Sequence, residues 1–207
     1  MTEKENNLNY SKVVRFFFKD KSNLEVNING NTQNSGKTFI KVKTKTESKH
    51  FFEEIPAQGI DGFYVADFNG DGNIDLFVGG RIIPGQYPET PQSFLLVNDG
   101  KGNFTDKMET LAPQLQKVGM ITDAACVDMN NDNKTDLVVV GEWMPVMVFI
   151  NANGKLENKT KDFFDKEYSG WWNKLLVADL NADGKNDLLI GNMGLNTQCR
   201  VSDDEPA

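Results

Sequence analysis

The chain has 207 residues, 39% hydrophobic and 25% charged, which is enough apolar material for one large or two small globular domains. Its formal net charge of −8 argues against nucleic acid, because a phosphate-binding face needs clustered Lys and Arg. No apolar run reaches the length of a transmembrane helix, and MTEKENNLNY lacks the apolar stretch of a signal peptide, so a targeting segment is expected outside this chain if the protein is exported.

Residues 1–55 contain four strand-like runs, KVVRFFFK, LEVNING, TFIKVKT and HFFEEI. Lys41, Lys43 and Lys45 alternate with apolar or Thr residues, the pattern of one solvated strand face rather than a ligand patch. His50 is the only histidine, and its setting, SKHFFEE, offers no nucleophile for it to activate. Cys126 and Cys199 are too few and too far apart for a disulfide framework or a zinc knuckle, and Cys126, in DAACVD, reads as a buried free thiol.

From residue 67 one decapeptide occurs three times: DFNGDGNIDL from Asp67, DMNNDNKTDL from Asp128 and DLNADGKNDL from Asp179. Oxygen-bearing side chains occupy positions 1, 3, 5 and 9 of each copy. They are Asp67, Asn69, Asp71 and Asp75, then Asp128, Asn130, Asp132 and Asp136, then Asp179, Asn181, Asp183 and Asp187. Position 7 varies among Asn73, Lys134 and Lys185, as expected of a residue that offers a cation only its backbone carbonyl. Like charges this close repel by on the order of 1 kcal/mol per pair even in water-like surroundings, so a cation among them is the simplest account. Oxygen ligands without His or Cys select Ca²⁺, and Mg²⁺ seldom uses an all-protein cage. The plainer alternative, metal-free turns rich in Asp, Asn and Gly, suits one copy better than three that agree at four positions.

Position 6 is Gly72, Asn133 or Gly184, where a sharp turn demands positive φ and Asn is the next most tolerant residue, so the middle loop is the least ideal. Position 2 is always apolar (Phe68, Met129, Leu180), as if pinned beneath the loop. An EF-hand would need Glu at position 12, where Val78, Val139 and Ile190 stand. The runs around the loops (FYVAD and DLFVGG, AACVD and DLVVVG, LLVAD and DLLIG) are short, branched and apolar, so each loop joins two buried strands. A second hairpin follows in FLLVNDGKGNFTDK and in VMVFINANGKLENKT. The expectation is an all-β chain of four-stranded antiparallel propeller blades, with three clear repeats and a cation loop between the first two strands of each.

These loops, repeated at blade spacing, resemble the FG-GAP or VCBS repeat family of calcium-loop β-propellers, related to the head of integrin α subunits. DLFVGGRIIPGQYP, VGMITDAACVDMNNDNKTDLVVVGEWMP and SGWWNKLLVADLNADGKNDLLIGNMGLN are similar to stretches of large bacteroidete-type repeat proteins that often carry an ASPIC/UnbV domain. The resemblance implies about three Ca²⁺ ions and an extracellular or outer-membrane-surface location. Family propellers commonly have about seven blades. Residues 56–207 would supply blades cut off within the third, as part of a larger propeller, and residues 1–55 a degenerate blade or a small β unit. A compact propeller closed by the N-terminal strands is the alternative.

Two functional classes fit. The first is a non-catalytic binding or adhesion module that recognises a protein or glycan on the propeller face. The second is a calcium-dependent enzyme, a polysaccharide lyase or hydrolase, which would need acids and bases beyond those holding metal. Glu142, Arg81 and Tyr87, in GEWMP and GGRIIPGQYP, are the available residues and form no recognisable catalytic set, so the binding module is preferred. Trp143 and Trp171 are expected to wedge between blades. Trp172, on the opposite side of an extended segment from Trp171, is expected to be the exposed one, available to a sugar ring.

Overall fold

The computed structural model describes residues 9–17, 23–31, 37–44, 53–56, 59–83 and 85–193, with side chains described for 62–83 and 85–193. The expectations for Lys45, His50 and Cys199, and those for the side chains of Lys41 and Lys43, lie outside the described residues.

The four N-terminal runs form β1 (Asn9–Phe17), β2 (Asn23–Asn31), β3 (Lys37–Thr44) and β4 (Glu53–Pro56), an antiparallel sheet in sequential order. The first blade follows as β5 (Gly59–Ala66), β6 (Asp75–Ile82), β7 (Phe94–Asn98) and β8 (Phe104–Asp106), again in sequential order. A one-turn helix, α1 (Met108–Leu111), and a 3-10 turn at Pro113–Leu115 lead onward.

The second blade repeats the plan with β9 (Met120–Val127) and β10 (Asp136–Glu142). After the two-residue bridge β11 (Met144–Pro145) come β12 (Met147–Asn151) and β13 (Leu156–Asn158). A second one-turn helix, α2 (Thr160–Phe163), sits where α1 does, and β14 (Ser169–Gly170) returns to pair with β11. The third repeat contributes β15 (Trp172–Ala178) and β16 (Asp187–Asn192).

The sequence signals explain these elements. Asp, Asn and Gly break each apolar run, and the breaks carry positive φ at Gly72, Asn133 and Gly184 as the turns require. The helices were not expected from the sequence. Each is a single turn started by a side chain just after a blade's last strand: Met108 N–H donates to Asp106 Oδ1 at 2.9 Å, and Thr160 N–H to Asn158 Oδ1 at 3.0 Å. Four residues give no helical periodicity to detect.

The blades stack face to face. One core joins Ala66, Phe68, Phe77 and Leu95 of the first blade to Ala124, Leu137, Val139 and Phe149 of the second. A second core joins Val138, Val140, Val148 and Ile150 to Leu175, Leu188 and Ile190 of the third. Strand side chains alternate, so Leu137 and Val139 serve one neighbour while Val138 and Val140 serve the other. The approach is close: a Cβ added at Gly79 would stand 3.0 Å from Ile121. Burying an aromatic such as Phe77, with no exposed surface, is worth about 1.5–3 kcal/mol.

The inner strands β5, β9 and β15 lie side by side and share a polar tie at Asp123. Its Oδ1 accepts from Tyr64 O–H at 3.1 Å, and its Oδ2 from Leu175 N–H at 3.1 Å and Lys174 Nζ at 3.2 Å. One carboxylate thus fastens three blades. Burial, reinforced by the charge of Asp123, pushes the Tyr64 phenol well above its ordinary pKa.

Cys126 is a free thiol on β9, partly rather than fully buried against the first core, and burial pushes its pKa up to about 12.

Candidate functional site

Antiparallel pairing places the turns of each blade at alternate ends. The decapeptide loops and the second hairpin turns share one end. The links from second to third strand, and from one blade to the next, share the other.

At the first end the three loops are wired alike. Asp67 accepts from Gly70 N–H at 2.7 Å and Asp71 N–H at 3.2 Å on Oδ1, and from Gly72 N–H at 2.8 Å on Oδ2. Asp128 accepts from Asp132 N–H at 3.1 Å and Asn133 N–H at 2.8 Å, and Asp179 from Asp183 N–H at 3.1 Å and Gly184 N–H at 2.9 Å. At position 3 the amide oxygens of Asn69, Asn130 and Asn181 accept the position-5 N–H at 2.9, 3.1 and 2.9 Å. At position 5, Asp71, Asp132 and Asp183 accept the N–H of Asn73, Lys134 and Lys185 at 2.8, 2.9 and 2.8 Å. That backbone bond is the largest influence holding the Asp71 and Asp132 carboxyls below their usual range.

Position 9 has a structural part that the spacing alone does not show. Asp75 is fully buried, takes Phe68 N–H on Oδ2 at 3.0 Å and takes Asn98 N–H from the third strand on Oδ1 at 2.9 Å. Asp136 does the same with Met129 and Asn151, both at 2.8 Å, and Asp187 takes Leu180 N–H at 2.9 Å. Burial is the chief cause that pushes Asp75 up to about 6 and raises Asp136, and the position-1 and position-5 carboxylates of the same loop add to both shifts.

Asn98 and Asn151 are site residues that sequence reasoning missed. The side-chain amides of both hold the position-8 carbonyl, Ile74 at 3.1 Å and Thr135 at 3.1 Å, while Asn151 also donates to Phe68 O of the first loop at 2.9 Å. Their signal was the Asn that opens each second hairpin turn directly after an apolar run. A further latch runs from Asn186 Nδ2 to Asp128 O at 3.0 Å, tying the third loop to the second.

The donor set of each loop fits a hard cation. Its candidate ligands are all oxygens, the position-5 carboxyl of the first two loops is held low, and the carboxylates of those two loops repel one another, with Lys134 Nζ 3.6 Å from Asp132 Oδ2 in the second. Among the described residues no three His, Cys, Asp or Glu side chains are drawn together at metal-binding spacing, and the loop oxygens face the loop's own amides.

The other end is aromatic. Trp143, between β10 and β11, has φ of 56° and is 43% exposed. Its indole N–H donates to Tyr87 Oη at 2.6 Å, and its ring lies 5.2 Å from that of Trp171 at 48°. Beneath, Arg81 on β6 forms an ion pair with the buried Glu142 on β10, across the first and second blades.

The expectation holds for Trp171, which is half-buried against Trp143, and fails for the other two. Trp172 packs against the second core with its indole N–H buried and without an acceptor among the described residues, while Trp143 is the exposed one. Trp172 stands on the side of β15 that the second blade covers.

A family model described as FG-GAP-like repeat matches residues 67–139 and 128–190, each span running from one loop into the strand after the next. The chain belongs to the FG-GAP-like repeat family. Comparison with curated proteins returned no match. The FG-GAP repeats here are all-β, with four-stranded antiparallel blades at the first two loops. No helix among the described residues is long and apolar enough to cross a membrane.

Proposed function

We propose that this chain is part of a calcium-stiffened, non-catalytic binding or adhesion module of the cell exterior or cell surface. Its partner, a protein or glycan, would dock at the propeller end opposite the loops. The observation that carries the reading is the threefold recurrence of one loop wiring on an oxygen-only donor set. Side chains at positions 1, 3, 5 and 9 and the carbonyl at position 7 would hold each ion, which supplies positive charge and cross-links the loop. The non-catalytic reading is supported by Glu142, whose carboxylate is buried and engaged by Arg81 rather than presented as an acid or base.

The exposed Leu176, Leu180 and Leu189 on the outer face of the third repeat support a further blade packing there, as part of a larger propeller.

Thermal melts in millimolar calcium and in chelator test the calcium reading. Each filled site adds about 1.4 kcal/mol when the free ion is tenfold above its dissociation constant. Asp183→Ala should lower the melting temperature in calcium and far less in chelator. Equal losses in both would leave the carboxylates as turn formers only.

A further inference from the structure

We propose that Trp143, Trp171 and Tyr87 form a stacking platform for a pyranose ring of a neutral glycan. This rests on the binding-module reading and names its ligand class.

Three observations at the aromatic end point there. Trp143 has φ of 56°, and a bulky residue in the left-handed region is a strained outlier that its surroundings must hold in place. At that backbone the indole stands 43% exposed. The ring is also immobilised before any ligand arrives, by Tyr87 Oη on its N–H and by Trp171 against its ring, so binding orders little. Tyr87, itself 47% exposed, uses its oxygen as acceptor for the indole, which leaves its own hydrogen to donate next to the ring.

A pyranose fits that pairing. Its C–H bonds, polarised by ring and hydroxyl oxygens, meet the negative face of an indole, and its hydroxyls meet a phenol donor. The chain is net negative both without calcium, at −8, and with three calcium ions, at −2, which disfavours nucleotides and other anionic ring systems. The Arg81–Glu142 pair fastens the two blades that carry Tyr87 and Trp143, which fixes the spacing of the rings.

The full chain, calcium-loaded, would be titrated with maltohexaose, cellohexaose and laminarihexaose while tryptophan fluorescence is followed, and calcium uptake would be measured on the same sample. The expected result is a saturable change with at least one hexasaccharide, weakened on the order of tenfold by Trp143→Ala and about threefold by Tyr87→Phe. Tyr87→Phe keeps the ring and serves if Trp143→Ala folds poorly. No response to any of the three, or equal binding by both variants, overturns the platform. Calcium uptake without a saccharide response would sink this inference and leave the calcium-loop reading standing, whereas absence of both would remove the two together.

Discussion

The first blade and the third carry matching residues on their forward faces, with opposite burial. Phe68 and Phe77 of the first blade have no exposed surface, because the second blade covers them. Their counterparts at the same loop offsets in the third, Leu180 and Leu189, are 59% and 56% exposed, and Leu176, the counterpart of Tyr64, is 56% exposed. Identical pattern gives opposite burial when, among the described residues, only one blade has a neighbour on that side. An apolar residue in such a repeat is thus a statement about the next repeat, and its contribution to stability depends on whether that repeat is there.

The largest effect that sharpens this contrast is Phe77→Ala, expected to cost about 3–5 kcal/mol. Leu189→Ala should stay within about 0.5 kcal/mol. Chemical denaturation of both variants checks the pair, and comparable losses would mean that the outer face of the third blade is covered.

The sequence exposed this architecture where its signals were local and repeated. Asp67, Asp128 and Asp179 announce the loops, and the apolar runs beside them announce the strands. It did not expose the parts that depend on neighbours across the stack. Asn151 bridges residues 83 positions apart to reach Phe68, and nothing in a single repeat anticipates that. Trp143 turns outward at a positive φ that its sequence setting does not announce, and Trp172 is packed by the neighbouring second blade rather than by anything in its own repeat.

Those amide ties supply the second test. Asn151→Ala strands the buried Phe68 O and the part-buried Thr135 O and Gly154 N–H and should cost about 1–3 kcal/mol. Asn186→Ala, removing one exposed bond to the second loop, should cost well under 1 kcal/mol. Equal costs would place the third loop under as much packing as the first.

Tyr64→Phe should cost about 1 kcal/mol by releasing the first blade from Asp123. The folded-state pKa of Tyr64 lies above the unfolded value, so its contribution is complete below the ordinary tyrosine pKa of about 10 and falls away as pH rises past it. Stability of the unmodified protein should therefore drop more steeply above pH 10 than that of Tyr64→Phe. Parallel profiles would disconnect Tyr64 from the tie.

The smallest effects concern loop strain. At position 4, Ala182 has φ of 62° where the first loop uses Gly70. Ala182→Gly relieves about 1 kcal/mol of strain, against about 0.4–1 kcal/mol of added unfolded-state entropy, so a gain of less than about 0.5 kcal/mol is expected. Asn133→Gly, at φ of 64°, should leave the calcium-free protein nearly unchanged and tighten calcium at the Asp128 loop, because Lys134 O then settles with less distortion. Weaker calcium at that loop would show that Asn133 supplies a contact of its own.

The central claim is that three equivalent loops each take a calcium ion, and isothermal titration calorimetry of the full chain with calcium tests it most directly. The account predicts three ions per chain, with dissociation constants of about 10⁻⁴ to 10⁻³ M or somewhat tighter, which would bring the formal charge from −8 to −2. No calcium uptake at millimolar concentration would contradict it.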